Sequence, residues 1–241
     1  MLHQLARFTS VAPLVREPGP GEVLDVGSGS RGVAGWLGPG WTVTAVDRSF
    51  GDEVALRGPF EAAPRTMEAD ARHLPFPDAS FDVVLALDVL EHVPPAERPR
   101  VLGELVRVAR RRVVVACPTG SAALDADRRL GAGLRRRGMP PPAWLAEHEE
   151  NGFPEPGDLV RALGPHGRLR MLADENLRWH GWILTLESRR PGFHLSRAAA
   201  RTITARLASG GPAGAVCRQL ARAAQGPRRG PAYRTIAVLD L

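Results

Sequence analysis

A glycine-rich segment near the N-terminus has the residue types and spacing of a turn that holds a bound cofactor. Gly27, Gly29 and Gly32 follow an apolar stretch that begins at Glu22. Glycines at a strand-to-helix turn let the backbone approach a ligand, and a helix N-terminus favours polar or anionic groups. Asp47 lies about 20 residues further on, where an acid can bind the ribose hydroxyls of a dinucleotide. This spacing predicts an adenosine-containing cofactor, which is either NAD or another molecule of that class. A plain turn without a ligand is the alternative, and Asp47 disfavours it.

Composition excludes several other chemistries. All 32 residues in the combined lysine and arginine count are arginines. A chain without lysine cannot form a Schiff base with pyridoxal phosphate, a P-loop or a kinase ATP site. It also lacks the Tyr-x-x-x-Lys pair of nicotinamide reductases. A GC-rich coding sequence accounts for the missing lysine, because isoleucine and asparagine, whose codons are also A/T-rich, are scarce as well.

Cysteine usage and hydropathy favour a cytoplasmic protein. Cys117 and Cys217 are far apart and form neither a Cys-x-x-Cys motif nor a disulfide framework. Polar residues and Pro13 interrupt the apolar character of the N-terminus, so we expect no signal peptide. No run of about 18 apolar residues occurs, so we expect no membrane span.

The order of apolar stretches indicates strands that alternate with helices up to residue 117. This alternation is typical of a parallel sheet with right-handed crossovers. Predicted strands cover residues 22–27, 41–47, 66–70, 81–88 and 112–117, and predicted helices cover 33–37, part of 50–60, and 96–110. After residue 117 we expect an irregular stretch (118–154) around a helix at 124–137, a short helix at 158–163, a sixth strand at 167–173, a helical insertion within 176–230 and a last strand at 233–239.

Three further features narrow the choice of cofactor. Asp25 lies two residues before the first glycine, inside the first predicted strand. Asp70 ends the third predicted strand and is followed by Ala71 and then by a Leu-Pro-Phe-Pro loop. The fourth predicted strand leads into the sequence Leu87-Asp-Val-Leu-Glu-His92.

Taken together, these motifs resemble the class I S-adenosylmethionine-dependent methyltransferases that act on small molecules, whose pattern reads "LDVGxGxG … VD … D…LPF…FD.V…..LEH". The resemblance spans Val23 to Cys117. It implies an α/β fold with a Rossmann-like, doubly wound sheet of seven mostly parallel strands, an antiparallel last strand and a helical insertion before that strand. The sequence departs from the pattern at Ser30, which replaces the usual third glycine, while Gly32 is displaced by two residues.

The resemblance also implies a set of cofactor-binding residues. In that family the glycine pair of the turn packs against the methionyl part of S-adenosylmethionine, with Asp25 near its amino group. Asp47 would bind the ribose hydroxyls, and Asp70 with Ala71 would hold the adenine. The complete predicted set is Asp25, Gly27, Ser28, Gly29, Asp47, Arg48, Asp70, Ala71 and Asp88.

Methyl transfer requires the protein to align the acceptor with the methyl group and to exclude water. A base is needed where the acceptor keeps its proton at neutral pH. His92 follows the fourth predicted strand and His148 comes after the fifth, so both are candidate catalytic bases. Alternatively, His92 caps or packs the following loop, and His148 with its acidic neighbours forms a solvated helix start. Adjacent residues rarely point at one ion, so we expect no metal site at His148.

Positive charge is concentrated towards the C-terminus. From residue 188 to 239 there are ten arginines and no acid, whereas the rest of the chain has a net charge of −4. Two ordinary helices packed on the sheet account for most of this segment, and an anionic partner would explain the missing acids. That partner would be a phosphorylated or lipid-linked acceptor or an anionic membrane surface. RNA is disfavoured because no aromatic stacking module accompanies the arginines. Apolar residues recur here at helical spacing, at Leu195, Ala199, Ile203 and Leu207 and again at Val216, Leu220 and Ala223.

These observations predict one methyltransferase domain over residues 1–241. It would comprise a cofactor half (20–117), an acceptor-side half (118–175), a helical cap (176–230) and a last strand (231–241). The expected activity is S-adenosylmethionine-dependent O-methylation of a small-molecule, glycan or lipid-linked acceptor, in the cytoplasm, with peripheral membrane contact through 188–239. Nucleic acid is not an expected partner.

Two alternatives remain open at this point. A non-catalytic cofactor-binding or membrane-associated module of the same fold would share all these motifs. An NAD-dependent oxidoreductase would share the glycine turn, but it would need a hydride-transfer constellation after the fifth strand, and we find none in the sequence.

Overall fold

The computed structural model describes residues 2–29, 32–50, 57–208, 211–223 and 230–241, without the side chains of 190 and 221–223. The helices are α1 (Leu2–Arg16), α2 (Ala34–Leu37), α3 (Arg98–Val108), α4 (Gly120–Arg136), α5 (Ala143–Asn151), α6 (Pro156–Leu163), α7 (Leu177–Glu187), α8 (Arg190–Leu207) and α9 (Gly211–Ala223). The strands are β1 (Glu22–Val26), β2 (Thr42–Asp47), β3 (Arg65–Glu68), β4 (Phe81–Leu87), β5 (Ala109–Pro118), β6 (Arg168–Asn176) and β7 (Ala232–Asp240).

These strands form a seven-stranded sheet in the order β3-β2-β1-β4-β5-β7-β6. The first five strands pair in parallel, and β7 lies antiparallel between β5 and β6. The predicted doubly wound sheet with an antiparallel last strand is therefore confirmed. Because the strand order reverses between β1 and β4, a crevice opens at their carboxyl ends, which is where open α/β sheets bind ligands.

The central strand β4 shows why the parallel strands of this sheet have continuous apolar sequences. Val83 and Leu85 pack into a core cluster that includes residues of α1 and α2. Val84 and Ala86 point to the opposite face, into a second cluster with Leu105 of α3. Alternate side chains of a strand point to opposite faces, so a strand covered by helices on both sides is apolar at every position.

Helix α1 is an element that the sequence did not predict. Its residues Leu5, Val11 and Val15 are fully buried against the sheet. The ring of Phe8 stacks on Trp36 of α2, with centroids 5.1 Å apart. A proline inside the helix and several polar residues weaken its amphipathic pattern, so tertiary packing stabilises this helix more than local propensity does.

Other boundaries differ from the sequence-based expectations. The stretch 118–154, expected to be largely irregular, contains both α4 and α5. In the segment 50–60, residues 57–60 are not helical, and 51–56 lie outside the described residues. The predicted helical insertion contains α7, α8 and α9.

In α8 and α9 the predicted apolar face does not coincide with the buried face. Ile203 and Leu207 pack against the core, but Leu195, Val216 and Leu220 are 67%, 56% and 50% exposed. The buried positions of α8 are instead small residues, Ser196, Ala200 and Thr204. Among the described residues, none of the helices is both long enough and apolar enough to cross a bilayer.

Candidate active site

A cavity of about 880 Å³ opens at the carboxyl ends of the central strands. On the side of β1, β2 and β3 it is lined by the glycine turn and by the residues that follow β2 and β3. On the side of β4, β5 and β7 it is lined by residues 87–89 and 91–94, by Pro118 and by Tyr233 and Arg234. Helices α1, α5 and α7 contribute further walls. Of the predicted site residues, all except Asp25 line this cavity.

The glycine turn leaves open space on the cavity side. Gly27 and Gly29 have positive φ angles of 68° and 58°, which non-glycine residues rarely adopt. A side chain at Gly27 would lie 2.4 Å from a methyl group of Val89, whereas a side chain at Gly29 would meet no atom within 4 Å. The backbone at Gly29 can therefore be approached closely by a ligand. Ser28 lines the same turn, and Ser30 lies outside the described residues.

Asp25 contacts the glycine turn on the side away from the cavity. Its Oδ2 accepts a hydrogen bond from the backbone N–H of Val33 at 2.6 Å. A side chain at Gly32 would lie 2.2 Å from the same oxygen, so the carboxyl packs directly against the turn. Burial raises the pKa of Asp25 to about 6, and the Val33 hydrogen bond opposes that rise. The predicted contact between Asp25 and the amino group of a cofactor stays a prediction.

Acidic side chains after β2 and β3 complete this side of the cavity, which also includes Arg48 and Ala71. Asp47 Oδ2 accepts a hydrogen bond from the N–H of Gly29 at 2.9 Å, which ties the end of β2 to the turn. Strand β3 ends at Glu68, so Asp70 lies in the following loop and not at the strand end as predicted. Arg72 binds the Asp70 carboxylate through its side chain at 2.5–3.0 Å and through its backbone N–H, which lowers the pKa of Asp70 to about 2.

Asp88, at the end of β4, joins three elements through ion pairs. It has a positive φ of 54°. Arg234 of β7 donates to both of its oxygens at 2.8 and 3.0 Å, and Arg7 of α1 lies 3.0 Å away. Burial disfavours the charged form most strongly, but the two arginines together outweigh it and lower the pKa of Asp88 to about 2. Both carboxylate oxygens are thus engaged by the protein itself.

The two candidate bases lie close together, with ring centroids 5.1 Å apart. His92 Nδ1 is 2.6 Å from Glu147 Oε2, and His148 Nδ1 is 2.7 Å from Asp127 Oδ2. Because an ionised carboxylate only accepts, Nδ1 of each ring carries the proton and donates it. In the neutral rings this leaves the lone pair on Nε2.

Several residues of this half of the cavity were missed by the sequence analysis. Tyr233 donates its hydroxyl hydrogen to Asp127, at 3.0 and 3.2 Å from the two oxygens. His180 of α7 stacks on the Tyr233 ring at a centroid distance of 3.5 Å and donates from Nδ1 to Glu175. Burial, with the charge of Asp127 next in effect, raises the pKa of Tyr233.

No local signal could have found this group. Asp127 lies within a helix rich in exposed arginines, so the sequence pattern predicts that its side chain is exposed to solvent. In the structure the residue is 1% exposed. Its contacts with His148 and Tyr233 span 21 and 106 residues of sequence.

Comparison with known proteins finds a match for the part of the chain that contains the glycine turn. A family model described as a methyltransferase domain matches residues 24–117. This part of the chain resembles the class I methyltransferases. S-adenosylmethionine is the cofactor of this class, and the open space above Gly29 beside Asp47 fits such a ligand.

The chain also resembles individual proteins. A 66-residue segment is 46% identical to the 27-O-demethylrifamycin SV methyltransferase of Amycolatopsis mediterranei, and it covers 27% of this chain and 21% of that relative. The match therefore spans about a fifth of the relative's length.

Two solved structures share the fold across nearly the whole chain. A SAM-dependent methyltransferase from Thermotoga maritima is 13% identical, with 99% of this chain and 89% of that one covered and a TM-score of 0.53. A protein from Anabaena variabilis, described as a candidate methyltransferase from an antibiotic biosynthesis pathway, is 14% identical, with 97% and 98% covered and a TM-score of 0.54.

Proposed function

We propose that this chain transfers the methyl group of S-adenosylmethionine to an oxygen atom of a small-molecule acceptor. The proposal is carried by one observation: a single cavity contains both the glycine turn and a pair of carboxylate-bound histidines. Ligand pockets have volumes of roughly 300–1,000 Å³. A cavity of 880 Å³ is thus large enough for a cofactor and a small acceptor side by side.

The residues after β1, β2 and β3 would bind the cofactor. The open space at Gly29 leaves room for the methionyl part of the cofactor. Asp47 accepts one hydrogen bond from the N–H of Gly29, and its remaining lone pairs can accept hydrogen bonds from the ribose hydroxyls. Asp70 and Ala71 would border the adenine. When bound, S-adenosylmethionine supplies a methyl group that its sulfonium has already activated, so the protein mainly aligns the acceptor and excludes water.

The residues after β4 and in α5 would bind the acceptor. His92 and His148 both line a cavity that also contains the candidate cofactor site, and each neutral ring keeps a lone pair on Nε2. A hydroxyl placed beside either nitrogen can transfer its proton to it as its oxygen attacks the methyl group. The carboxylates of Glu147 and Asp127 hold the two rings in the orientation that this transfer needs.

An oxygen acceptor is supported by two considerations. A hydroxyl keeps its proton at neutral pH, so a base that removes this proton makes its oxygen a better nucleophile. The Amycolatopsis relative is named as a methyltransferase of 27-O-demethylrifamycin SV, which is an oxygen acceptor.

We also propose that the helical segment α7–α9 contacts an anionic membrane surface, where a lipid-linked acceptor would be found. Trp182, Leu195, Val216 and Leu220 are each at least half exposed. The segment from 188 to 239 contains arginines but no acid. Exposed apolar and aromatic side chains combined with positive charge are typical of helices that lie on anionic bilayers.

Ligand binding tests the proposed methyl transfer. We expect calorimetry to show that S-adenosylmethionine and S-adenosylhomocysteine bind and that NAD does not. Binding of NAD but not of S-adenosylmethionine would overturn the proposal in favour of an oxidoreductase.

Turnover separates an enzyme from a non-catalytic module. With methyl-labelled S-adenosylmethionine and a panel of phenols, polyketide alcohols and sugars, we expect label in at least one acceptor. Binding without any transfer to hydroxyl or amine acceptors would favour the binding module.

A further inference from the structure

We propose that Glu91, His92 and His148 bind one divalent transition-metal ion of the zinc type. Each of these residues offers one ligand atom, and the three atoms lie within 4.8 Å of one another. All three residues line the cavity. The role that we assign to this ion in catalysis rests on the proposed methyl transfer, whereas its binding does not.

Two of the three ligand groups are buried polar groups that lack a partner. Glu91 is 1% exposed and His148 is 5% exposed. Glu91 Oε2 and His148 Nε2 form no hydrogen bond with any part of the chain that the structure describes. Leaving a buried polar atom unpaired costs roughly 1–3 kcal/mol. A cation between them would satisfy both atoms at once.

Both histidines also have the second contact that metal-binding histidines usually make. A ligating imidazole almost always donates its other N–H to a carboxylate or carbonyl, which fixes the tautomer and orients the ring. His148 donates in this way to Asp127, and His92 to Glu147. Tyr233 donates to Asp127 in turn, so the orienting carboxylate is itself held in place.

The ligand types select the class of ion. Two imidazoles and one carboxylate form the ligand set of many catalytic zinc sites, which keep a fourth position open. Magnesium and calcium prefer oxygen ligands alone. Bonds of about 2.0–2.2 Å in a tetrahedron bring ligand atoms to roughly 3.3–3.6 Å from one another. Small rotations of the side chains suffice for this, and the side chain of His92, which is 29% exposed, has room to move.

An ion at this position would change how the acceptor is activated. With both Nε2 lone pairs bound to metal, neither histidine is free to act as a base. A hydroxyl that coordinates the open position has a lowered pKa and releases its proton to water, and its oxygen is then the nucleophile. The residues Glu91, His92 and His148 would then hold the acceptor oxygen in place through the ion.

Direct metal binding tests the proposal without the cofactor. Protein without an affinity tag is treated with chelator, dialysed and titrated with zinc in a calorimeter, and cobalt is titrated while visible absorption is recorded. We expect one ion per chain, with no comparable binding of magnesium. Glu91→Gln and His148→Asn should each weaken zinc binding at least tenfold, and the orienting variant Asp127→Asn should weaken it roughly 10–100-fold.

Controls separate metal binding from folding and from methyl transfer. His194 lies exposed on α8, so His194→Asn should leave zinc affinity within twofold of the wild type. Since His92 is partly exposed, His92→Asn should fold and still lose affinity, with circular dichroism as the check. No binding of zinc or cobalt, or unchanged binding in the Glu91 and His148 variants, would overturn the metal site.

Transfer assays in chelator distinguish this outcome from failure of the proposed function. If transfer to an acceptor found in the panel continues at full rate in chelator, the histidines act as bases and the ion has no catalytic role. If zinc binds but no acceptor is methylated, the metal site stands and the methyl transfer does not.

Discussion

Gly27 and Gly29 lie two residues apart, but their environments differ. A side chain at residue 27 would clash with Val89, so this glycine is required by the packing of the fold itself. A side chain at residue 29 would enter the cavity without a clash, so this glycine is required by the space that a ligand needs. Substitutions at these two positions should therefore separate structural from functional effects.

We expect Gly29→Ala to weaken S-adenosylmethionine binding at least tenfold while the protein stays folded. The left-handed φ of 58° adds roughly 1–2 kcal/mol of strain for alanine, and the new methyl group projects into the space proposed for the methionyl part. Calorimetry and urea denaturation measure the two effects.

Gly138→Ala is the matched control for this variant. Gly138 has a φ of 69° and open space around it, and it follows α4 outside the cavity. It should lose similar stability but keep the affinity for the cofactor. Equal affinities in the Gly29 and Gly138 variants would argue against the proposed cofactor position.

At the scale of elements, α1 connects the core to the cavity. One face packs Leu5, Val11 and Val15 against the sheet. The same helix contributes Arg7 and Phe8 to the cavity wall, and Arg7 pairs with Asp88 at the end of β4. The stability of this helix and the shape of the site are therefore linked.

Leu5→Ala should lower the free energy of unfolding by about 2–5 kcal/mol, because a fully buried leucine leaves a cavity when it is truncated. Urea denaturation measures this loss, and cofactor affinity should fall with it since α1 would be less firmly held. Leu195→Ala is the control: Leu195 is 67% exposed, and its truncation should change stability by no more than about 0.5 kcal/mol. Equal effects at the two positions would contradict the packing described for α1.

At the scale of the whole molecule, charge is unevenly distributed. The segment from 188 to 239 contains ten arginines, and the remainder of the chain has a net negative charge. Codon bias explains why the basic residues are arginines but not why acids are missing from this segment. The exposed apolar residues of α7, α8 and α9 lie in or next to the same stretch.

We expect the protein to sediment with phosphatidylglycerol-containing vesicles at low salt and not with neutral vesicles. Replacing Arg189, Arg201 and Arg206 by glutamine should weaken this binding roughly 100-fold, at about 1 kcal/mol per arginine. The matched control replaces the exposed Arg129, Arg136 and Arg137 of the α4 region, which removes the same charge elsewhere. Equal losses in the two variants would indicate a dependence on net charge alone, and no sedimentation by the wild type would rule out the membrane contact.

The fold around the proposed cofactor site could be predicted from the sequence because the pattern that specifies it is local. The glycine turn and Asp70 each follow a strand and Asp47 is the last residue of one, and parallel strands place their carboxyl ends at one edge of the sheet. A pattern read along the chain therefore locates these residues in space with little further information. Helix α1 escaped prediction because its apolar residues are fixed by the core that they contact and not by a strong local pattern.

The side of the cavity that is proposed to bind the acceptor was decided by tertiary structure. Glu91, Asp127, His148 and Tyr233 come from four separate segments, and no spacing in the sequence indicates that they meet. The expectation of no metal site at His148 considered only its neighbours in the chain. The groups that lie close to His148 in the structure are 21 or more residues away in the sequence. Local patterns record which face of an element is buried, and only the packing of elements decides which buried polar groups face one another.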